Sequence, residues 1–432
     1  MRRAVQWQTM NDSFARRALL VLLAASLLLS AGFALRVPLG DNPDETAHRD
    51  YIRLIVEERG FVTFIPRGEL PDGAPSRDEA HQPPLYYLLC VPVYAASGGN
   101  TLALRLVATV LQLATVALVF AACRDLFAKR PEIAVGAAAF AAFLPTQAQL
   151  GGAISNDALS TLICAAIYWR LGALILRGQT VKDAALLGGL FGVGLWTKLS
   201  VVQLVPAFAL AYFLAWRGEK VTLGKAFAHG AGALAFGVLL ASPWLVRNTV
   251  LYGDPLTLAI YRLTGPNYSP ADIQAVAGWS GADYLRQVGV RSFGTFWYFL
   301  DPNLPFNRFT GSPAPLILAL MLAGASLVAL YRKAKASDFT GDTGNVLLLF
   351  GLAAPLLVPF YLRFVLTVFQ AQGRYFLPAL LPVAVVTAAA WTTRTLGKDG
   401  DKQPPNYLVA LWVPAVLLCL AVYQLLGGGF VR

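Results

Sequence analysis

The stretch TLALRLVATVLQLATVALVFAACRDLFAKR, residues 101–130, decides what kind of fold this chain makes. From Thr101 to Ala122 it is largely apolar, with Arg105 near one end as its one charge, and about 20 such residues carry an α-helix across a bilayer. Arg124 and the pair Lys129-Arg130 follow at once. A basic flank of that kind marks the cytoplasmic end of a membrane helix.

The pattern repeats in both directions. Apolar runs at 18–35, 133–150, 158–176, 184–196, 199–216, 226–245, 314–331, 346–369, 375–391 and 407–426 join 101–122 to make about eleven expected transmembrane helices. Alternate connections are basic: Arg16-Arg17, Arg124 with Lys129-Arg130, Arg177 with Lys182, Arg217 with Lys220 and Lys225, Arg332-Lys333 with Lys335, and Arg394 with Lys398 and Lys402. This alternation places the N-terminus in the cytoplasm and the C-terminus outside. Both loops flanking the pair of runs around Lys198 read as cytoplasmic, so the chain crosses twice or re-enters there. The first run reads as a retained signal anchor, although Ser30-Ala31-Gly32 has the look of a cleavage region.

Composition agrees. Hydrophobic residues make up 56% of the 432 and charged residues 14%, against about 25% charged in soluble domains. The formal charge of +11 lies in clusters between apolar runs, a membrane pattern rather than a nucleic-acid one. Cys90, Cys123, Cys164 and Cys419 are widely spaced with no C-x-x-C, which points to neither a disulfide framework nor a zinc site. The chain reads as one all-α membrane domain over 1–432, with no repeat and no separate soluble domain. Its two long outward stretches are 38–100 and 247–312.

The first outward loop is more than a spacer. Between Asp41 and His81 it holds ten carboxylates and five arginines. In DNPDETAHRDYIRLIVEERG, residues 41–60, Asn42 is placed to cap a helix, Pro43 to open it, Glu45 to follow three residues after the cap, and Gly60 to end it. Ile52, Ile55 and Val56 then form a stripe suited to the membrane surface. A second amphipathic piece opens at HQPPLYYLLCVPVY, residues 81–94, with Tyr86, Tyr87 and Tyr94 expected at the interface. Asp44-Glu45 at a helix start is satisfied by the free N–H groups and the dipole alone. However, Asp44, His48 and Tyr51 stand at i, i+4 and i+7, so one face carries a carboxylate, an imidazole and a phenol.

Further polar residues fall on the same outward side. They are Asn156-Asp157 in AISNDALS, Lys198 in GLWTKLS, Arg247-Asn248 in SPWLVRNTVLYGDP, and Arg374 in FQAQGRYFLPALLP. A lone cation at a helix end commonly snorkels to lipid headgroups. Lys198, Arg247 and Arg374 nevertheless break the positive-inside bias on the side that holds Asp44 and Asp157, and charges at the edge of a span are commonly functional or paired.

In these motifs, PDETAH, HQPPLYYLL, SNDAL, WTKLS, PWLVRN and QGRYFLPALLP taken in order from about Asp41 to Pro382, the chain resembles integral-membrane glycosyltransferases of the GT-C class. These use a polyprenyl-phosphate sugar donor and include lipid A aminoarabinose transferases and protein O-mannosyltransferases. The likeness is greatest to a bacterial branch with the HQPPLYY signature. The two named enzymes typically continue into a soluble domain not expected here, so the acceptor does not carry over. The resemblance implies a bacterial inner-membrane enzyme with an outward, periplasmic site. Asp44 would be the general base toward an acceptor hydroxyl, and Arg374 and Lys198, with Arg247 third, would hold the donor phosphate. Glu45, Asp157 and His81 would orient sugar hydroxyls or shape the loop, together with His48, Tyr51, Gln82, Tyr86 and Asn156. Displacement with one base implies inversion. Oligosaccharyltransferases of this class use a divalent metal, and Asp44 with Asp157 has the chemistry for one, but the closer relatives imply no cofactor. Two other readings share parts of the pattern. A ligase moving polysaccharide from a polyprenyl-diphosphate shares the charges. A transporter or flippase shares the spans but usually shows inverted repeats or midplane ionisable residues.

Overall fold

The computed structural model describes residues 2–260, 269–297, 314–335, 341–392 and 406–427, and no strand occurs among them. Its helices are α1 (Arg2–Arg36), α2 (Glu45–Glu58), α3 (Leu85–Ser97), α4 (Thr101–Leu126), α5 (Pro131–Phe143), α6 (Pro145–Leu150), α7 (Asp157–Arg177) and α8 (Val181–Thr197). They continue with α9 (Val205–Arg217), α10 (Leu223–Tyr252), α11 (Pro270–Ala277), α12 (Gly281–Trp297), α13 (Ala314–Lys335), α14 (Gly341–Val365), α15 (Leu380–Ala390) and α16 (Tyr407–Gly427). Short 3-10 turns at Asp78–His81, Leu199–Leu204 and Gly373–Ala379 lie just before α3, α9 and α15.

Among the described residues, eight helical segments are long and apolar enough to cross a membrane: Ser13–Arg36, Thr101–Leu126, Asp157–Arg177, Leu199–Arg217, Leu223–Tyr252, Gly341–Val365, Gly373–Ala390 and Tyr407–Leu426. The chain is an all-α, largely apolar polytopic membrane protein. Three of the eleven expected spans fall short as single helices. Run 133–150 is split between α5 and α6, because Pro145 disfavours helical geometry at Leu144, whose ψ is 116°. Run 184–196 lies in α8, which is 17 residues long and begins with Lys182 and Asp183 in its first turn. Run 314–331 lies in α13, whose apolar part is Ile317–Arg332.

The core is built around α5. All of its residues are buried, and α1, α4, α15 and α16 pack around it. Lipid tails are as apolar as leucine, so helices associate in a membrane through close packing of small residues. The alanine-rich sequence of α5 provides that surface. The same device sets α8 along α10: a Cβ at Gly188 would lie 2.5 Å from the Ala233 carbonyl. The helix α8 ends at Thr197 with Lys198 as its C-cap.

The first long loop, residues 38–100, packs its apolar stripe against the rest of the protein. Ile52 and Ile55 are buried in the main core, and Tyr86 and Tyr87 are fully buried instead of interfacial. The reason is that α2 packs against α3 and the Asp78–His81 turn, which offers the stripe an apolar partner within the protein. The cap also moves. Asp44, not Asn42, is the N-cap of α2, and the helix ends at Glu58 with Arg59 as C-cap before Gly60. In the stretch 247–312, α10 runs on to Tyr252, so Arg247 and Asn248 are helical and not beyond the span; α11 and α12 follow. Residues 261–268 and 298–312 of that stretch lie outside the described residues, as does the basic group Arg394, Lys398 and Lys402.

Candidate functional site

Four element ends converge in one cluster: the start of α2, the start of α7, the end of α8 and the 3-10 turn before α15. Asp44 sits between anchored neighbours. The Asn42 amide accepts from Gln149 Nε2 (2.9 Å) and donates to Glu45 Oε2 (3.1 Å). Glu45 is fully buried and takes a bidentate bond from Arg105, at 2.7 and 2.6 Å, with a third bond from the Ile154 N–H at 3.0 Å. Arg105 also donates to the Ala34 and Val37 carbonyls, each at 2.7 Å. Held on both sides, Asp44 takes the left-handed region at φ 57°. That conformation costs of order 1–3 kcal/mol in general and is one that Asp tolerates better than most residues.

The carboxylate so presented meets a buried cation. Arg374 Nη2 donates to Asp44 Oδ2 at 2.5 Å; the Arg374 side chain is 5% exposed and that of Asp44 42%. Arg374 Nη1 reaches Asp157 Oδ2 at 3.5 Å, while Lys198 Nζ holds Asp157 Oδ1 at 2.5 Å. The two carboxylates and two cations therefore balance, and only Asp44 is open to a visitor. Arg374 is placed by Gly373, whose N–H bonds Thr295 Oγ1 at 2.6 Å and where a Cβ would strike the Phe296 backbone on α12. Asp157 is the first residue of α7, and its N-cap Asn156 makes no side-chain cap bond. Instead the Asn156 amide reaches Gln82 Oε1 at 3.4 Å and the Thr197 carbonyl at 3.5 Å, tying the first loop to the end of α8.

Tyr86 and the histidines brace this arrangement. Tyr86 Oη accepts from the Ser155 N–H at 3.1 Å, and His48 Nδ1 lies 2.9 Å from Tyr87 Oη, whose ring packs 4.3 Å from that of Tyr51. His81 Nδ1 donates to the Asp78 carbonyl at 2.7 Å, which leaves Nε2 unprotonated. Burial pushes both histidines down to about 4, so they are neutral at pH 7. At Asp44, desolvation opposes ionisation, but the Arg374 guanidinium, His48 and Lys198 outweigh it and hold the carboxyl below its ordinary range.

The structure thus gathers Asp44, Asp157, Lys198 and Arg374, with His48, Tyr51, His81, Gln82, Tyr86 and Asn156 around them. Glu45 is next door but faces Arg105. Arg247 stands apart: it donates to the Val62 carbonyl at 2.7 Å and lies 4.5 Å from the Trp244 ring, strapping the first loop to α10. Residues not singled out from the sequence are Arg105, which was visible as the one charge in its span, and Glu79. Glu79 Oε2 is 3.7 Å from His48 Nδ1, and burial followed by the nearby Asp44 charge pushes its carboxyl up to about 8. Among the described residues no group of three or more His, Cys, Asp or Glu is set to hold a metal. Asp44 Oδ2 faces Arg374, and the two oxygens of Asp157 face Lys198 and Arg374.

Residues 81–246, under half of the chain, match the family described as dolichyl-phosphate-mannose-protein mannosyltransferase. No curated protein sequence matches the chain. Among solved structures, it is similar to the oligosaccharyltransferase AglB from Archaeoglobus fulgidus in complex with an inhibitory peptide and a dolichol-phosphate. The TM-score is 0.54 at 13% identity, over 96% of this chain and 56% of that one. The apo form of the A. fulgidus oligosaccharyltransferase gives 0.50 at 11% identity, over 94% and 56%. ArnT from Cupriavidus metallidurans bound to undecaprenyl phosphate gives 0.42 at 16% identity, over 98% and 78%. The archaeal likenesses show a shared fold, and this chain spans little more than half the length of those proteins.

Proposed function

We propose that this protein is an inverting glycosyltransferase that moves a sugar from a polyprenyl-phosphate donor to a hydroxyl acceptor. The observation that carries this reading is the pairing of a reachable carboxylate, Asp44, with a buried cation, Arg374, beside the Asp157–Lys198 pair. The family match to a dolichyl-phosphate-mannose enzyme, which includes Asp157 and Lys198, and the shared fold of a dolichol-phosphate-bound transferase support it.

In the resting site Arg374 neutralises Asp44. A donor phosphate entering beside Arg374 and Lys198 takes over their hydrogen bonds, Arg374 as a fork and Lys198 as a point charge. Asp44 is then released from its cation and becomes the stronger base. It removes the acceptor's proton as the acceptor oxygen bonds the anomeric carbon. The bond from that carbon to the phosphate oxygen breaks, and the lipid phosphate leaves with the electron pair into a preset cationic site. One positioned base contributes about 10²–10⁴ in rate, and single displacement inverts the anomeric centre. Asp157 keeps Lys198 and Arg374 in register. Glu45, Asn156, Gln82, Tyr86, His81, His48 and Tyr51 hold the loop that presents Asp44, and Arg247 straps it to α10. No resident metal is assigned, because the cations already occupy the carboxylates' inner face.

The eleven-span topology, with the N-terminus in the cytoplasm, belongs to this proposal. It treats 1–432 as one membrane domain in the bacterial inner membrane and opens the site to the periplasm. The test is a radiolabelled sugar on a polyprenyl-phosphate donor, incubated with the purified protein and envelope acceptors in detergent. Label on an acceptor supports the reading. Label that only crosses a vesicle membrane identifies a transporter, and transfer only from a diphosphate lipid identifies a ligase.

A further inference from the structure

Between α14 and the 3-10 turn that carries Arg374 runs a short non-helical link, residues 366–372. It is held firmly from below. Tyr284 on α12 donates to the Val365 carbonyl, Ser292 pairs with Tyr361, and Ile273, Tyr284, Val288, Tyr361, Val365 and Ala371 form a small core of their own. On this support stand two amides. Gln370 Oε1 accepts from Tyr375 Oη at 2.9 Å and from Gln372 Nε2 at 3.4 Å, which uses its acceptor capacity. Its own NH₂ has no partner among the described residues, and neither has the buried Oε1 of Gln372. The ring of Tyr375, which fixes Gln370, lies 5.5 Å from the Arg374 guanidinium and 5.9 Å from Lys198 Nζ.

An unused amide donor and an unused amide acceptor therefore sit side by side, joined to the paired cations through the Tyr375 ring. Neither carries charge, so they have no preference for phosphate or carboxylate. A hydroxyl both donates and accepts, and vicinal hydroxyls match such a pair. In a glycosyl phosphate the sugar ring joins the phosphate through one oxygen, so its hydroxyls must lie beside whatever holds the phosphate. We propose that Gln370 and Gln372, held by Tyr375 beside Lys198 and Arg374, form the subsite that reads the hydroxyls of the transferred sugar. This rests on the glycosyl-transfer reading and adds a specificity-determining site to it.

The experiment uses the full chain in lipid nanodiscs and two kinds of probe. One is bare undecaprenyl phosphate. The other is undecaprenyl phosphate bearing glucose, mannose, galactose or arabinose. Wild type binds at least one glycosylated lipid more tightly than the bare one. Gln370→Ala and Gln372→Ala each weaken that glycosylated lipid about tenfold, the loss of a hydrogen bond to a neutral group, and change the bare lipid by less than about twofold. Tyr375→Phe, which removes only the hydroxyl that orients Gln370, gives a smaller loss in the same direction. Retained affinity for bare lipid shows that each variant is folded. Equal loss for both kinds of lipid, or no loss, overturns the subsite. A wild type with no preference for any sugar overturns the subsite and leaves the phosphate reading standing. A wild type that binds no lipid phosphate overturns both.

Discussion

Asp44 and Glu45 are consecutive residues with the same functional group, and the fold treats them oppositely. Glu45 is fully buried with both oxygens bonded to Arg105 and further bonds from Ile154 and Asn42. Asp44 is held in left-handed backbone, 42% exposed at its side chain, with one short contact to Arg374. The first is saturated and gives a ligand nothing to do. The second can exchange its partner. An ion pair therefore reads as structure or as chemistry according to whether its oxygens have anywhere else to go.

Arg105→Ala tests the structural side and carries the largest expected effect. It leaves Glu45 buried without a counter-charge, which costs about 3–5 kcal/mol. Thermal unfolding in detergent, followed by tryptophan fluorescence, checks this. A change no larger than that of an exposed pair such as Arg53–Glu57, about 0.3–0.5 kcal/mol, would erase the contrast.

Arg374→Lys tests the exchangeable side. Charge stays while the fork is lost, so affinity for undecaprenyl phosphate should fall about tenfold with a stability change of about 1 kcal/mol. Binding titration in nanodiscs beside a melting curve separates the two. An unchanged lipid affinity would deny Arg374 a phosphate role.

Glu79→Gln differs in kind, because its effect lies in pH dependence. The Glu79 carboxyl stands at about 8 in the folded protein against 4.5 as its ordinary value. Between those values the folded state holds a proton that the unfolded state lacks, so stability falls as pH rises from about 4.5 to 8. Glutamine mimics the protonated acid and should flatten that fall. An identical slope in the variant, from melts at pH 5 to 8, would remove Glu79 from the account.

The membrane class was legible from apolar run length and basic alternation, because both are local properties of the chain. The set Asp44, Asp157, Lys198 and Arg374, which the fold brings together, was legible for a related reason: a charge at the end of a span, opposite the basic connections, is conspicuous in the sequence. What was not legible depended on partners far along the chain. Glu45 meets Arg105 sixty residues away, and Tyr87 meets His48 thirty-nine away. The loop stripe of Ile52 and Ile55 has the same periodicity whether it faces lipid or α3. The N-cap moved from Asn42 to Asp44 because Gln149 and Glu45 claim the Asn42 amide, a contact no local pattern displays. Gln370 and Gln372 lie in a short link without periodicity, and only their unused amide groups draw notice.

The most direct test of the central claim is Asp44→Asn, assayed for transfer of labelled sugar from the polyprenyl-phosphate donor and for binding of bare undecaprenyl phosphate. The isosteric amide keeps the shape but loses the base and the grip on Arg374. Transfer should fall by about 10²–10⁴, while the melting temperature stays close to wild type and the lipid phosphate binds more tightly because it no longer competes with a carboxylate for Arg374. Wild-type turnover in Asp44→Asn, with unaltered lipid affinity, would contradict both the base and the exchange of partners.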